Sequence, residues 1–153
     1  MDFQLQPAAD DDHSFLAELY SDVRAPEFLA AGLPTAMLEP LLTMQHRAQV
    51  AGYAQHYPAA VDAIVWIKGE RAGRLLVNTT AAEIRLVDVA LLTRFRGQSV
   101  GSQLIRAVRE RARAAGLPLR LSVHAGNPAQ RLYERLGFVI TSDDGVNRAM
   151  ELR

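Results

Sequence analysis

Residues 94–102 of the chain read Arg94-Phe95-Arg96-Gly97-Gln98-Ser99-Val100-Gly101-Ser102. They follow a strongly apolar run, 84–92, and lead into residues 99–115, whose apolar side chains recur at helical spacing. Small residues between a strand and a helix let the backbone approach a ligand closely, and the free N–H groups at a helix N-terminus attract phosphate. The pattern therefore predicts a phosphate-binding loop, although the same small residues also suit a plain tight turn.

Three better-known motifs fit this loop less well. A P-loop ends in Gly-Lys-Ser/Thr, and the loop has no lysine. Gly97 and Gly101 have the wrong spacing for a dinucleotide-binding fingerprint. The five residues from Gly97 to Gly101 match the G-x-S-x-G elbow of hydrolases, which requires an acid and then a histidine after the serine. His124 is the only downstream histidine, and no aspartate separates it from Ser99, so we disfavour a hydrolase.

The segments around the loop predict one α/β domain, 1–153, with a mixed sheet. The run 84–92 is apolar on both alternating faces, which is typical of a central strand covered on both sides. The other predicted elements are a short strand near Phe3 and Leu5, a helix starting at 10–12, one or two helices over 34–57, a hairpin of strands 61–67 and 74–77, a strand at 119–123, a helix after Asn127-Pro128, and closing strands at 138–140 and 146–152. Pro40 and Gly52 weaken the helical prediction for 34–57.

The composition excludes several kinds of function. Lys+Arg and Asp+Glu both number 17, so no overall field attracts nucleic acid or an anionic membrane. Cysteine is absent, which excludes disulfides, thiolate metal sites and a cysteine nucleophile. The histidines show no metal-ligand spacing, so we expect no metal. Neither a signal peptide nor a membrane-spanning run is evident, and we expect a soluble cytoplasmic protein.

Two motifs resemble one known family. The segment 96–101 is similar to the Arg/Gln-x-x-Gly-x-Gly/Ala signature of the GNAT superfamily of N-acetyltransferases, and 87–91 resembles the fourth strand of that family. The segment 127–138 resembles its second signature, an Asn, then Ala, then Leu-Tyr-Glu-x-Leu-Gly-Phe. Both motifs occur in order and at the family's separation. The resemblance implies a single-domain α/β (α+β) fold with a mixed, mostly antiparallel sheet flanked by helices on both faces.

The resemblance also implies an activity, the transfer of acetyl from acetyl-CoA directly to a primary amine. It implies that Tyr133 protonates the departing thiolate, that backbone N–H groups of the loop hold the pyrophosphate, and that the pantetheine arm pairs with the end of the preceding strand. The cofactor-binding residues implied are Leu91, Leu92, Arg96, Gly97, Gln98, Ser99, Val100, Gly101, Ser102 and Asn127.

The chain departs from the family pattern at three positions. Ser99 replaces the first glycine of the loop signature, so the loop must accommodate a Cβ atom. Asn127 lies six residues before Tyr133, one fewer than is common in the family. The acidic residue that many members carry on the fourth strand is Val87 here, and Asp88 beside it is expected to face the other way.

The sequence leaves the base and the acceptor open. Asp88 lies in an apolar strand, where a carboxylate is either functional or hydrogen-bonded structurally, and a water relay is an equal alternative to it. Tyr133 also suits a core position beside Leu132 and Leu136. The polar residues of the second helical region are Gln45, His46, Arg47, Gln49, Tyr53 and His56. The resemblance implies that this region borders the acceptor site, but we favour the alternative that they form a solvated helix face.

The rival function is a non-catalytic CoA- or nucleotide-binding module. The acceptor is either a small-molecule amine or a protein amine, and neutral overall charge does not separate the two. The resemblance also makes a homodimer a possible assembly.

Overall fold

A computed structural model describes residues 2–153 and shows a seven-stranded sheet across them. The strand order is β1-β2-β3-β4-β5-β7-β6, and only β4 and β5 are parallel neighbours among the described strands. The strands are β1 (Gln4–Pro7), β2 (Val61–Ile67), β3 (Glu70–Thr79), β4 (Ile84–Leu91), β5 (Leu119–His124), β6 (Val139–Asp143) and β7 (Asn147–Leu152). The predicted mixed, mostly antiparallel sheet is confirmed.

The α-helices of residues 2–153 are α1 (His13–Ala30), α2 (Thr35–His56), α3 (Val100–Ala115) and α4 (Ala129–Arg135). α2 is one continuous helix, although Pro40 lacks the N–H for one backbone hydrogen bond. Leu42, two residues after Pro40, is buried and packs this part of the helix against the rest of the protein. No helix within this described part of the chain has both the length and the apolar character to span a membrane.

α3 has the buried face that its sequence predicts. Val100, Leu104, Ile105, Val108 and Ala112 are buried, whereas Ala115, the last predicted member of that stripe, is exposed. Gly116 follows the helix with a φ of 68°, the left-handed conformation that glycine adopts readily at a helix end. α3 thus connects β4 to the parallel β5 with its apolar stripe in the core.

β3 is longer than predicted and is buried on both of its faces. It pairs with β2 from Glu70 to Val77, after a two-residue turn in which Lys68 and Gly69 both have positive φ. Leu75 and Val77 point to one face, and Arg74 and Leu76 point to the other; all four are buried. The strand was predicted only over 74–77, because the charged residues Glu70 and Arg71 before the apolar stretch indicated a turn.

The acidic segment 10–12 differs from its prediction as the first turn of a helix. It forms a short 3-10 turn, and α1 begins at His13. Asp12 is buried, with one carboxylate oxygen accepting from the Ala9 N–H at 2.9 Å and the other accepting from Arg71 Nε at 2.7 Å. These bonds hold the pKa of Asp12 below its ordinary value. Asp12 therefore ties the start of α1 to β3.

Candidate active site

The central feature of the site is an opening between β4 and β5. The two strands pair only at Ile84–Leu119 and Arg85–Arg120. A register shift on β3 at Leu76/Val77 leaves Val87 of β4 as an extra, unpaired residue, a β-bulge. Beyond it, β4 keeps its pairing with β3 and has an open edge towards β5. β4 is central in the sheet, as expected, but residues 87–91 are only half-buried, whereas Ile84 and Leu86 are buried.

The open edge of β4 presents unpaired backbone groups. The N–H of Leu92 donates to the Ala72 carbonyl at 2.8 Å on the β3 side. Because successive residues of a strand point their backbone groups in opposite directions, Leu91 and Val89 direct theirs into the opening. The Leu91 N–H has no partner among residues 2–153, and the Leu91 carbonyl accepts from Arg96 Nε at 3.0 Å. The Val89 N–H interacts with the Asp88 carboxylate, which opposes the rise in the pKa of Asp88. The Leu92 carbonyl accepts from the Phe95 N–H, so Leu92 is engaged within the protein.

The loop that follows β4 gathers free N–H groups. Gly97 and Ser99 adopt left-handed backbone conformations, with φ of 75° and 64°. The first N–H of α3 to donate is that of Gln103, to the Ser99 carbonyl at 3.0 Å. The six preceding N–H groups, from Gly97 to Ser102, have no partner within the described chain. A run of unpaired N–H groups at a helix N-terminus is an anion-binding arrangement.

Ser99 carries the conformational cost that its sequence position suggested. A left-handed backbone costs a residue with a Cβ atom roughly 1–2 kcal/mol, and Ser99 is the N-cap of α3 without a side-chain capping bond. Its side chain is exposed. It hydrogen bonds no histidine in the part of the chain that the structure describes, so the arrangement required for a hydrolase nucleophile is not formed there.

Asp22 of α1 fixes the start of the loop, a contact that the sequence did not indicate. One of its carboxylate oxygens accepts from both the N–H and the hydroxyl of Thr93, at 2.8 and 2.9 Å. The same oxygen lies 3.7 Å from Arg96 Nη2. The loop is therefore anchored to α1 as well as to β4.

Asp88 lies on β4 directly after the bulge. Its side chain is 26% exposed and has Arg74 Nη1 3.7 Å away. Burial raises the pKa of Asp88 to about 6; the nearby Arg74 guanidinium opposes the rise and the Asp62 carboxylate adds to it. At neutral pH such a carboxyl group is mostly ionised and can accept a proton.

Tyr133 of α4 is buried, with 9% of its surface exposed, and its ring centroid lies 5.7 Å from that of Phe138. No group of the described chain hydrogen bonds its hydroxyl. Burial first, and then the charge of Asp88, raise the pKa of Tyr133 to about 12. The hydroxyl therefore stays protonated at neutral pH and can act as a donor.

Asn127 uses its side-chain oxygen to cap α4, accepting from the Ala129 N–H at 2.9 Å. α4 begins at Ala129 with Pro128 at the N-cap position, so the predicted N-cap at Asn127 lies one residue before the observed one. The amide nitrogen of Asn127 makes no bond within residues 2–153, so it is the part of this side chain left for a ligand.

The polar side of α2 differs from the predicted solvated face. Gln45, His46, Gln49 and Tyr53 are half-buried, whereas Arg47 and His56 are exposed. The Tyr20 hydroxyl donates to Gln45 Oε1 at 3.2 Å, and the ring centroids of Tyr20 and His46 lie 5.3 Å apart. Burial lowers the pKa of His46. This face of α2 therefore belongs to the interior of the site region.

Two surface recesses lie away from the opening. One follows the first half of α2 between Thr35 and Arg47, and the other lies around Trp66 and Arg94. Neither is lined by Asp88 or Tyr133. The diverging strands and the unpaired N–H groups therefore define the site better than any closed cavity does. Within residues 2–153, no group of three or more His, Cys, Asp or Glu is placed to hold a metal.

Comparison with known proteins identifies the family and with it the class of enzyme, an acyltransferase. The sequence model of the GNAT acetyltransferase domain matches residues 45–140, more than half of the chain. The chain belongs to the GNAT acetyltransferase family. This membership confirms the predicted class of enzyme, an N-acetyltransferase, and its predicted cofactor, acetyl-CoA. No curated protein sequence matches the chain.

Solved structures share the fold over nearly the whole chain. The PaiA N-acetyltransferase of Thermoplasma acidophilum, in complex with coenzyme A, is 16% identical with a TM-score of 0.77, covering 100% of this chain and 99% of its own. An acetyltransferase of Thermus thermophilus is 20% identical with a TM-score of 0.71, over 99% and 97% of the two chains. A GNAT family acetyltransferase of Elizabethkingia anophelis with acetyl-CoA bound is 14% identical with a TM-score of 0.63, also over 99% and 97%.

Proposed function

We propose that residues 1–153 form one N-acetyltransferase domain that transfers acetyl from acetyl-CoA to a primary amine by direct attack. The observation that carries the proposal is the continuity of the open edge of β4 with the six unpaired N–H groups that follow it. An open edge offers hydrogen bonds to an extended, amide-containing chain, and the N–H groups offer them to a diphosphate. Coenzyme A carries both groups, because its amide-containing pantetheine arm is joined to a diphosphate.

The residues present fit such a ligand. The N–H groups from Gly97 to Ser102 would hold the pyrophosphate, with the exposed Arg96 side chain beside them. Leu91 would pair with a pantetheine amide through its free N–H group, and the Asn127 amide nitrogen would contribute a further donor. Leu92, which the resemblance also assigned to this contact, is engaged within the protein.

The bound ligand would supply an activated acetyl thioester. Asp88 would accept the proton that the acceptor's ammonium must lose before it attacks. A backbone N–H of the open β4 edge would stabilise the developing oxyanion. Tyr133 would donate its hydroxyl hydrogen to the departing sulfur. No covalent enzyme intermediate is needed, in keeping with a chain that contains no cysteine.

The half-buried polar face of α2 supports an acceptor site on the side of Asp88. Burial first, and then the charge of Asp88, raise the pKa of Tyr53, so Tyr53 contributes to the surroundings of Asp88. A small-molecule amine and a protein amine remain the two classes of acceptor to screen. Thiol release from acetyl-CoA, measured across simple amines, polyamines and amino-terminal peptides, would separate them.

Replacing Ser102 by Glu tests the cofactor site. Ser102 is the third residue of α3, where a carboxylate favours the helix dipole and can satisfy the free N–H groups itself. We expect the folded state to be retained and the Kd for acetyl-CoA to rise by roughly 100-fold, equivalent to about 2.7 kcal/mol. Titration calorimetry and thermal unfolding would measure both properties.

The matched control is Ser102→Gln, which has the same shape without the charge and should bind acetyl-CoA within a few-fold of the parent. Equal affinity of Ser102→Glu and the parent for acetyl-CoA would contradict the proposal that this loop binds the pyrophosphate. Binding of acetyl-CoA without thiol release in the presence of any of the amines tested would favour the non-catalytic CoA-binding module.

A further inference from the structure

Three charged side chains lie together on one face of the sheet. Asp62 of β2 and Asp88 of β4 are both directly opposite Leu76 of β3 in the strand register. Residues that oppose each other in antiparallel strands share a face, and so does Arg74, two residues from Leu76 on the same strand. The sheet therefore places two carboxylates on either side of one guanidinium.

The Arg74 guanidinium hydrogen bonds to one of the two carboxylates and not to the other. Arg74 Nε donates to Asp62 Oδ1 at 3.0 Å and Nη2 donates to Asp62 Oδ2 at 2.9 Å, a bidentate pair. Its Nη1 is 3.7 Å from Asp88 Oδ2, which is beyond hydrogen-bonding distance. The Arg74 side chain is only 9% exposed, so its charge requires a close partner. Asp62 meets that need.

The other groups around Asp88 do not neutralise it. Tyr53 of α2 lies under the guanidinium, with its ring centroid 5.5 Å from Arg74 Cζ. Tyr133 of α4 is the second ionisable group influenced by Asp88. The pKa values of both tyrosines are raised, so both are neutral at physiological pH. His46, further along α2, has a lowered pKa and is also neutral there. Arg74, 3.7 Å away, and the Val89 N–H are therefore the groups that offset the charge of ionised Asp88, and no cation forms a close ion pair with it.

We propose that Arg74 is a positioning residue: its bidentate bond to Asp62 keeps the Asp88 carboxylate out of a hydrogen-bonded ion pair and available to take a proton. This inference rests on the function proposed above, in which the acceptor ammonium supplies that proton. The proton would pass from the ammonium nitrogen to a carboxylate oxygen of Asp88 and leave a neutral amine. Asp62 then acts through Arg74 and touches no substrate.

Asp62→Asn tests the inference in the protein without any ligand. The substitution replaces the Asp62 carboxylate by a neutral amide, which binds Arg74 less strongly. The Arg74 guanidinium is then free to hydrogen bond to Asp88. We expect the pKa of Asp88 to fall by about one pH unit or more. The measurement is an NMR titration with aspartate labelled at its carboxyl carbon, in which Asp88→Asn identifies the resonance. Asp143→Asn is the matched control, because it removes the carboxylate of another ion pair, with Arg148, and should leave the Asp88 titration unchanged.

Arg74→Gln should raise the pKa of Asp88 in the same titration, because it removes the positive charge that opposes protonation of Asp88. If this variant fails to fold, Asp62→Asn alone decides the question. An Asp88 titration that is the same in Asp62→Asn as in the parent would overturn the inference.

The pH dependence of kcat/KM separates this inference from the proposed function. A base acts when it is unprotonated, so activity should fall as the pH drops through the pKa of Asp88, which is about 6 in the parent. In Asp62→Asn this acid limb should move to lower pH together with the NMR titration. A titration that moves while the acid limb stays in place supports the role of Arg74 and removes Asp88 from the proposed mechanism.

Discussion

Tyr133→Phe is expected to lower kcat by roughly 100-fold while leaving the affinity for acetyl-CoA within about twofold. The hydroxyl has no partner within residues 2–153 and lies in a buried environment that raises its pKa to about 12. That value exceeds the ~8.5 of an ordinary thiol, so a hydrogen bond to the developing thiolate should contribute more than complete proton transfer. For this reason we place the loss at the lower end of what a general acid contributes.

Steady-state kinetics and calorimetry of the same preparation would measure the two quantities. Tyr57→Phe is the control for removing a tyrosine hydroxyl, because Tyr57 lies just past the end of α2 and has no place in the proposed chemistry. An unchanged kcat in Tyr133→Phe would mean that water protonates the sulfur and that Tyr133 is a core residue.

Gly73→Ala is expected to destabilise the fold by about 3 kcal/mol. An added Cβ atom at this position would overlap the backbone carbonyl oxygen of Ala90 and would approach Leu91 Cδ2 to 2.7 Å. Gly73 pairs with Leu91 in the register, so β3 can accept the methyl group only by moving away from β4. Thermal unfolding should show a Tm lowered by roughly 10 °C, together with weaker binding of acetyl-CoA.

Gly52→Ala is the opposite case and serves as the control. Apart from its chain neighbours and the adjacent backbone of α2, no atom of residues 2–153 lies within 4 Å of a Cβ built on Gly52. Alanine is also the better helix former, so this variant should gain about 0.5–1 kcal/mol. Similar stability changes in the two variants would show that close packing against β4 does not explain the glycine at position 73.

The sequence supported the element order well because most elements carry a regular apolar period. The buried stripe of α3 and its glycine end were predictable from spacing alone. The opening between β4 and β5 was not, since it depends on a single extra residue at Val87, and a bulge leaves no mark in an apolar run. For the same reason, the alternation of side chains along a regular strand does not predict the directions of Val87 and Asp88, because Val87 is the extra residue of the bulge.

The site was predictable where a motif carries it and obscure where a distant contact does. The loop from Arg96 to Ser102 could be identified from its own residues. Asp62 and Arg74 were missed, although each is a charged residue in an apolar strand, the same signal that drew attention to Asp88. Asp22 had no such signal, because its bonds to Thr93 join positions 71 residues apart.

The bulge divides β4 into two segments with different tolerance of substitution. Residues before it are enclosed by neighbouring strands, so a change of side-chain volume there has to be absorbed by the packed interior. Residues after it have one free edge, and a change there can be taken up at the opening. One strand of eight residues thus combines a rigid half with a half that has room to adjust.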